Sequence, residues 1–269
     1  MIIILTVLIL LAALYVLALA GRSVHSLTAE LSRWSYAHRG LHGDGIPENS
    51  LAAFKLAVWK GYGSELDVHL MKDGNLAVIH DSSLKRTTGM DGRIEDLTVS
   101  DLENYHLEGT FQTIPTLQDV LEVYKGKAPL IVELKSEDGN HDQLCEAACR
   151  VLEGYQGAYC IESFDPRCIK WMKENKPNIV RGQLSQNFLK HNDTNLSWPI
   201  RFVLTNLMMN FMTMPDFVAY RYEDRKGLAP WLCEKIWNVQ QVSWTLRKPE
   251  DYDTAVAEGA IPIFEGFEP

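Results

Sequence analysis

Two carboxylates stand two positions apart in the run Ser64–Leu70. The alternation of this run predicts a β-strand, so Glu65 and Asp67 point to the same face and can share one cation. Oxygen ligands of this kind suit Mg²⁺ or Ca²⁺ rather than zinc. The mostly apolar run Pro129–Lys135 predicts a buried strand whose end would supply a third oxygen, from Glu133. The sequence therefore predicts one divalent cation, Mg²⁺ or Ca²⁺, at Glu65, Asp67 and Glu133.

His38 and His80 add groups that can transfer protons. Imidazole titrates near neutral pH, so it can deprotonate an attacking oxygen or protonate a leaving one. Arg39 supplies a planar, permanently charged group that suits a phosphate or a metal-bound carboxylate. These residue types predict metal-assisted cleavage of a phosphodiester. They leave open which histidine is the acid, and whether the nucleophile is water or a neighbouring hydroxyl of the substrate.

A tight turn is predicted at Lys72–Asn75, between the strand at Ser64–Leu70 and a short apolar run at Leu76–His80. Such a turn would fold the second run back along the first as a hairpin. The fold-back would place His80 near Asp67. The predicted turn thus joins the proton-transfer chemistry to the metal site.

Four ordered segments resemble the signature of the glycerophosphodiester phosphodiesterase family. They are Ala37–Gly40, Pro47–Ser50, Glu65–Val68 and Ile79–Asp81. The resemblance implies a TIM barrel, with His38 and His80 as the catalytic pair. It also implies that Glu133 is the third metal ligand and that Lys135 binds the substrate phosphate together with Arg39. The implied reaction is hydrolysis of glycerophosphodiesters to glycerol 3-phosphate and an alcohol.

Two further features allow two interpretations each, and a third departs from the family pattern. Pro47–Ser50 equally predicts the entry to a helix, capped by Asn49 or Ser50. Trp244 either lines the substrate pocket or is a core tryptophan. The ending Ile263–Pro269 departs from the family pattern and leaves the last helix of the barrel open.

The first residues predict a different element. Ile2–Ala20 contains no charged side chain, and nineteen residues would span roughly 28 Å as a helix, close to the thickness of a bilayer. A transmembrane anchor over residues 1–22 is therefore favoured. A cleaved signal peptide, which would make the protein secreted, and a buried helix are the alternatives.

The distribution of charge and cysteine favours a cytoplasmic catalytic domain. Arginines follow the apolar run, whereas only the terminal amine precedes it. The positive-inside bias therefore favours the cytoplasmic side for the residues after the run. The five cysteines are odd in number and show no metal-type pair, as expected of a reducing compartment. The net charge of −9 argues against a nucleic-acid backbone as the main partner, because the sequence shows no basic patch that would neutralise one.

The remainder of the chain predicts an α/β fold. Strand candidates alternate with helical stretches, which is typical of a parallel barrel. The candidates are Ser35–His38, Gly63–Leu70, Leu76–His80, Leu130–Lys135, Ala158–Phe164, Val180–Leu184, Phe202–Asn206, Phe217–Tyr222, Gln241–Leu246 and Ile261–Phe264. Ten candidates for eight places mean that two are peripheral, and Leu76–His80 is one suspect. We expect one barrel domain over residues 23–269, with an insertion at about residues 82–115 that the family uses to select the alcohol.

Two alternatives to simple glycerophosphodiester hydrolysis remain. A lysophospholipase D acting on membrane lysophospholipids would use the same groups, and an apolar groove beside the site would distinguish it. A non-catalytic membrane scaffold would keep the barrel without the reaction. Retention of every polar group that the chemistry needs counts against the scaffold.

Overall fold

The computed structural model describes residues 1–22, 26–191 and 196–269. Within these ranges, eight parallel strands close into a barrel, and a ninth strand is antiparallel to one of them. The strands are β1 (Tyr36–His38), β2 (Gly63–Leu70), β3 (Leu76–Val78), β4 (Leu130–Leu134), β5 (Tyr159–Ser163), β6 (Arg181–Ser185), β7 (Phe217–Arg221), β8 (Gln240–Leu246) and β9 (Ile261–Phe264). The order around the barrel is β1, β2, β4 and then β5 to β9, which returns to β1. The predicted TIM-type barrel is confirmed.

Helices connect the strands and cover the outside of the barrel. They are α1 (Ile2–Ala18), α2 (Ser26–Leu31), α3 (Leu51–Lys60), α4 (Lys85–Thr88), α5 (Leu117–Tyr124), α6 (His141–Leu152), α7 (Pro166–Asn175), α8 (Trp198–Thr205), α9 (Asn210–Thr213), α10 (Leu228–Trp237) and α11 (Pro249–Ala257). Short 3-10 turns lie at Ile94–Asp96, Val99–Asn104, Leu107–Gly109 and Tyr222–Asp224. The predicted domain boundary at residue 23 falls on residues 23–25, outside the described ranges.

The barrel has two hydrophobic layers because strand side chains alternate in direction. On β4, Leu130 and Val132 pack outward against the helices, whereas Ile131 belongs to the core inside the barrel. Glu133 follows the inward alternation of Ile131. The same alternation on β2 puts Leu66 outside, so its acidic neighbours face inward. Because of this alternation, Glu65, Asp67 and Glu133 all point into the barrel interior.

The predicted hairpin is present. The amide of Gly74 donates to the carbonyl of Met71 at 3.0 Å, and β3 then pairs with the carboxyl half of β2. Just beyond β3, the amide of Ile79 donates to the carbonyl of Asp67 at 3.1 Å. His80 is therefore held beside Asp67, and the third strand candidate is peripheral to the barrel, as suspected.

One predicted strand is wrong. Phe202–Asn206 does not form a strand, because most of it belongs to helix α8. Pro199, in the first turn, has a fixed φ that suits a helix start, where its missing amide proton costs no hydrogen bond. Val203 and Leu204 lie one turn after Pro199 and Ile200 and share their face. The apolar pattern therefore has a helical period, although its β-branched and aromatic members suggested a strand.

The insertion at residues 82–115 forms a small unit with its own core. Leu84, Ile94, Leu102 and Leu107 pack with Ile79 beside the carboxyl ends of the strands. A reciprocal cap stabilises its central turn, since Asp101 accepts from the amide of Thr98 at 2.8 Å. The unit therefore covers one side of the predicted site.

Helix α1 packs against the rest of the described structure only at its carboxyl end. Its residues from Ile2 to Leu14 are all exposed, and only its last turn touches the barrel, where Trp237 Nε1 donates to the carbonyl of Val16 at 2.8 Å. Leu19, just beyond the helix, is buried in a cluster that includes Leu207 and Val239.

The predicted transmembrane helix is not supported. Helix α1 has 17 residues, which give about 26 Å, and the chain turns into protein contacts at its end. Over the ranges that the structure describes, no helix has the length and apolar character that crossing a membrane requires.

Candidate active site

The predicted site residues come together at the carboxyl ends of the barrel strands. One small cavity is lined by seven of them, which are His38, Arg39, Glu65, His80, Glu133, Lys135 and Trp244. The eighth, Asp67, lies beside this cavity, with Oδ1 3.0 Å from Lys135 Nζ. The carboxyl edge is where parallel barrels assemble active sites, because the loops from every strand converge there.

Three carboxylates form the centre of the site. One oxygen from each of Glu65, Asp67 and Glu133 lies within 4.8 Å of the other two, and all three side chains are buried. Strand register explains the cluster, since Asp67 is paired with Glu133 across β2 and β4. Asn49 Nδ2 donates to Asp67 Oδ2 at 2.8 Å, which fixes that carboxylate.

Burial and mutual repulsion affect the pKa values of these carboxylates. Burial, together with the neighbouring Asp67 and Glu133, raises the pKa of Glu65 well above its usual value. Burial also raises the pKa of Glu133, against the influence of Lys135. Burial opposes ionisation of Asp67 as well, but Lys135, His80 and Arg39 hold its pKa well below the usual range. The neighbouring cations thus favour ionisation of Asp67 but leave the pKa values of Glu65 and Glu133 raised, and a divalent cation would favour ionisation of all three.

Glu162 is a fourth buried carboxylate that the sequence reasoning did not assign. It lies on β5 directly across from Glu133 and lines the same cavity. Burial, followed by the charge of Glu133, raises its pKa well above the usual value. Within the described ranges, Glu162 Oε2 is buried without a hydrogen-bond partner. An unpaired buried oxygen beside three clustered carboxylates fits a cation site.

Lys135 is the nearest cation to the cluster. Its Nζ lies 2.7 Å from Glu133 Oε1 as well as close to Asp67, and these carboxylates raise its pKa although burial opposes the charge. The side chain is therefore charged at neutral pH. It also lies over the ring of Phe164, 5.9 Å from the centroid.

His38 is held by a carboxylate from the other end of the chain. Its Nδ1 lies 2.5 Å from Glu265 Oε2, so Nδ1 carries the proton and Nε2 is left for chemistry. Burial lowers the pKa of His38 to about 4, against the opposing effect of the Glu265 hydrogen bond. Burial works against ionisation of Glu265, yet His38 holds its pKa at about 2. The ring is therefore neutral and its partner ionised near neutral pH.

His80 has the same arrangement on the opposite side of the site. Its Nδ1 lies 2.5 Å from Asp81 Oδ1, and this hydrogen bond holds the pKa of Asp81 well below its usual value. Asp81 also accepts from Arg86, which forms two hydrogen bonds with Glu48. Glu48 in turn accepts from Arg39 Nη1 at 3.0 Å. Hydrogen bonds therefore link Asp81, which supports His80, to Arg39, and Arg39 Nε forms an ion pair with Asp67 Oδ2 of the cluster at 3.4 Å.

Sequence reasoning missed the roles of several of these groups. Pro47–Ser50 equally predicts a helix entry, and Ser50 does cap α3 by accepting from the amide of Ala53. The structure adds that Asn49 and Glu48 hold Asp67 and Arg39. The signal for Glu265 was its position directly after the last strand.

A large groove adjoins the catalytic cavity. It has a volume of about 1180 Å³ and shares His80, Lys135, Phe164 and Trp244 with the cavity. Trp244 therefore borders the cavity and the groove, and it also packs against the core inside the barrel. Its ring packs edge-on against Phe164, with centroids 5.6 Å apart.

The family model for the glycerophosphoryl diester phosphodiesterase family matches residues 38–264. The chain belongs to this family. A glycerophosphodiester phosphodiesterase from Bacillus altitudinis is 33% identical over 169 residues, which cover 59% of this chain and 69% of that protein. A lysophospholipase D from Rattus norvegicus is 32% identical over 133 residues, covering 45% of this chain and 41% of that protein.

Solved structures of the family share the fold. A phosphodiesterase from Oleispira antarctica, solved with its product sn-glycerol-3-phosphate, has a TM-score of 0.70 and 24% identity, over 86% of this chain and 92% of that one. Members of the glycerophosphoryl diester phosphodiesterase family hydrolyse glycerophosphodiesters, and this is the activity of the chain.

Proposed function

We propose that the site hydrolyses glycerophosphodiesters to glycerol 3-phosphate and an alcohol, with one divalent cation held by Glu65, Asp67 and Glu133. The observation that carries this proposal is the set of three buried carboxylate oxygens within 4.8 Å of one another, in contact with the cavity that both histidines line. When bound, Mg²⁺ or Ca²⁺ would offset the charge that develops on the phosphate oxygens. The glycerol 3-phosphate product of the Oleispira relative supports the choice of product.

The side chains of the protein perform the remaining steps. Arg39 and Lys135 bind and orient the phosphate, because both are charged and border the cavity. His38 and His80 each keep Nδ1 on a carboxylate, so both can exchange protons through Nε2. One removes the proton from the attacking oxygen and the other protonates the leaving alkoxide. Trp244 and Phe164 border the path to the groove.

Release of glycerol 3-phosphate tests this proposal. The full chain would be assayed with glycerophosphocholine and glycerophosphoethanolamine in the presence of Mg²⁺, Ca²⁺ or a chelator. We expect release with one of the ions and none with the chelator. Glu65→Gln and His38→Gln should each lower kcat by about 100-fold or more, whereas exposed Glu146→Gln and His106→Gln should not. Turnover by either site variant at the unchanged rate would overturn the assignment.

The same assay separates the enzyme from a non-catalytic scaffold. A folded protein that turns over no glycerophosphodiester with either ion would be a scaffold. Metal-restored turnover excludes that alternative.

We also propose that helix α1 attaches the protein to a lipid surface, with the barrel on the cytoplasmic side. The helix has no charged side chain and is exposed from Ile2 to Leu14. A helix that packs on a protein surface is apolar on one face, whereas this one is apolar on every face, as a helix in contact with lipid is. Arg22 and Arg33 follow the helix and favour the cytoplasmic side.

A further inference from the structure

The ring of His38 lies between two different groups of ligand atoms. Its Nε2 is 3.9 Å from Glu65 Oε2, on the side of the three clustered carboxylates. Its Nδ1 faces Glu265 instead. One ligand atom from each of His38, His42 and Glu265 lies within 4.8 Å of the other two. This second set, the His–His–Glu group, shares no member with the three clustered carboxylates.

His42 is held in a short loop that follows β1. Its amide donates to the carbonyl of Gly40 at 3.0 Å, and Gly43 and Ile46 exchange two hydrogen bonds of 2.9 Å each. Gly40 and Gly43 have φ values of 78° and 129°, which glycine adopts without a steric penalty. Because β9 pairs with β1, the end of β9 brings Glu265 to the same place.

The side chain of His42 has a ring nitrogen available for a ligand. Its Nε2 is buried and has no hydrogen-bond partner among the residues that the structure describes. A buried polar atom without a partner is unfavourable. His42 is not part of the lining of the catalytic cavity or of the adjoining groove. The proposed hydrolysis therefore leaves His42 without a role.

The donor atoms of the His–His–Glu group suit zinc. Two imidazoles and one carboxylate are a common zinc ligand set, whereas Mg²⁺ and Ca²⁺ prefer oxygen. Zinc–nitrogen bonds of about 2.0–2.1 Å place the ligand atoms of a tetrahedral site about 3.3 Å apart, so small side-chain shifts would close the group around an ion. The side chains of His38 and Glu265 are 12% and 21% exposed, which allows an ion to enter from solvent.

We propose that His38, His42 and Glu265 bind one zinc ion and that this ion inhibits hydrolysis at the neighbouring site. The inhibition rests on the proposed function, whereas the binding does not. Zinc on Nδ1 takes the place of the proton between His38 and Glu265, and the neutral ring then carries its proton on Nε2. In either catalytic role, the neutral ring has to accept a proton at Nε2 once in each cycle. With zinc bound, that position is already occupied.

Equilibrium dialysis of zinc against the full chain tests the binding. Saturating Mg²⁺ or Ca²⁺ is present throughout, so that the clustered carboxylates are occupied. We expect the unchanged chain to bind one zinc ion, and His42→Gln to weaken this binding by at least roughly tenfold, because an imidazole ligand is lost. His106→Gln removes an exposed histidine of the insertion and should bind zinc as the unchanged chain does. Equally tight binding by His42→Gln would overturn the proposed site.

Release of glycerol 3-phosphate from glycerophosphocholine tests the inhibition. Saturating zinc should lower kcat of the unchanged chain and of His106→Gln by about 100-fold or more, since proton transfer through His38 is blocked. Without zinc, His42→Gln should turn over at the unchanged rate, which also shows that it is folded. This variant should need at least roughly tenfold more zinc for the same inhibition. A tenfold increase in Mg²⁺ should not relieve the inhibition, because Mg²⁺ does not compete for imidazole.

The outcomes distinguish the zinc site from the proposed function. If excess Mg²⁺ restores turnover equally in the unchanged chain and in His42→Gln, zinc acts at the carboxylates, and the proposed inhibition is wrong while the proposed function stands. If zinc binds through His42 without slowing turnover, the inhibition is again wrong and only the binding is supported. If no glycerol 3-phosphate is released with either ion in the absence of zinc, the proposed function fails, and the dialysis alone decides the zinc site.

Discussion

Each of the two histidines rests on a carboxylate through Nδ1. Glu265 supports His38, and Asp81 supports His80, each at 2.5 Å. A carboxylate in this position fixes the tautomer and the orientation of the ring, and it stabilises the protonated ring when a proton arrives. Both supports are therefore positioning residues for the proposed proton transfers.

Replacement of Glu265 by glutamine tests this role. The amide can still accept from His38 but carries no charge, so we expect kcat to fall by about 10- to 100-fold. Because Glu265 raises the pKa of His38, its loss should lower that pKa and move the acidic limb of the pH profile to lower pH. Glu268→Gln, on the same tail but paired with Lys60, is the control. A profile that moves in neither variant would contradict the role.

Replacement of Glu162, the fourth carboxylate, should stabilise the protein without metal but weaken its use of metal. Glu162 raises the pKa of Glu65 through its charge, so Glu162→Gln should relieve repulsion and raise Tm in the presence of a chelator. The same change should raise the Mg²⁺ or Ca²⁺ concentration for half-maximal activity by roughly tenfold, because a cation would lose favourable charge. Calorimetry and metal titration measure the two effects. An unchanged metal requirement would mean that Glu162 does not contribute to the site.

Most of the site could be predicted from local motifs in the sequence. The remaining residues join the site only because the strands of the barrel pair with one another. Glu65 and Asp67 lie on one strand, so period-two alternation places both from the sequence alone. Glu162 and Glu265 become neighbours of Glu133 and His38 only through strand register. That register aligns Ala37 with Phe264 and sets Glu265 next to His38. A single sequence does not specify which distant strands pair.

At the scale of the elements, the residues that flank a segment distinguish a strand from a helix as much as its composition does. Gly63–Leu70 was predicted with its observed bounds because clear alternation continues to its end. Phe202–Asn206 was misassigned, since Val203 and Phe202 have strand propensity while the helix start lies upstream at Pro199. The helix start at Pro199 and the helical period of the apolar residues decide that segment.

One strand contact makes a direct stability prediction. A Cβ at Gly182 on β6 would lie 2.0 Å from the Phe217 ring on β7, so Gly182→Ala should overpack the barrel and lower the free energy of unfolding by about 1–3 kcal/mol. Urea unfolding measures the change. Gly154→Ala, where nothing lies within 4 Å of the added atom, is the control. Equal unfolding midpoints for the two variants would show that the ring moves aside at no cost.

At the scale of the whole molecule, an ordered barrel carries an apolar helix that hardly touches it. The proposed lipid contact predicts that the full chain co-sediments with phospholipid vesicles. Replacing Leu8 and Ile9, which are 58% and 60% exposed, by lysine and glutamate should weaken binding at least tenfold, since two apolar side chains would no longer enter lipid. Trp59→Lys, on α3, should bind as the unchanged chain does. Undiminished binding by the double variant would rule out α1 as the contact.

The hydrogen bond between His38 and Glu265 joins residues 227 positions apart. Contacts of such long separation form late, because the loop between them must first be closed. A nascent chain that has emerged only as far as β8 would carry both histidines, Arg39 and all four clustered carboxylates. It would lack Glu265, so the ring of His38 would have no carboxylate to hold its orientation. The onset of turnover during synthesis would therefore mark the closure of the barrel, when β9 pairs with β1.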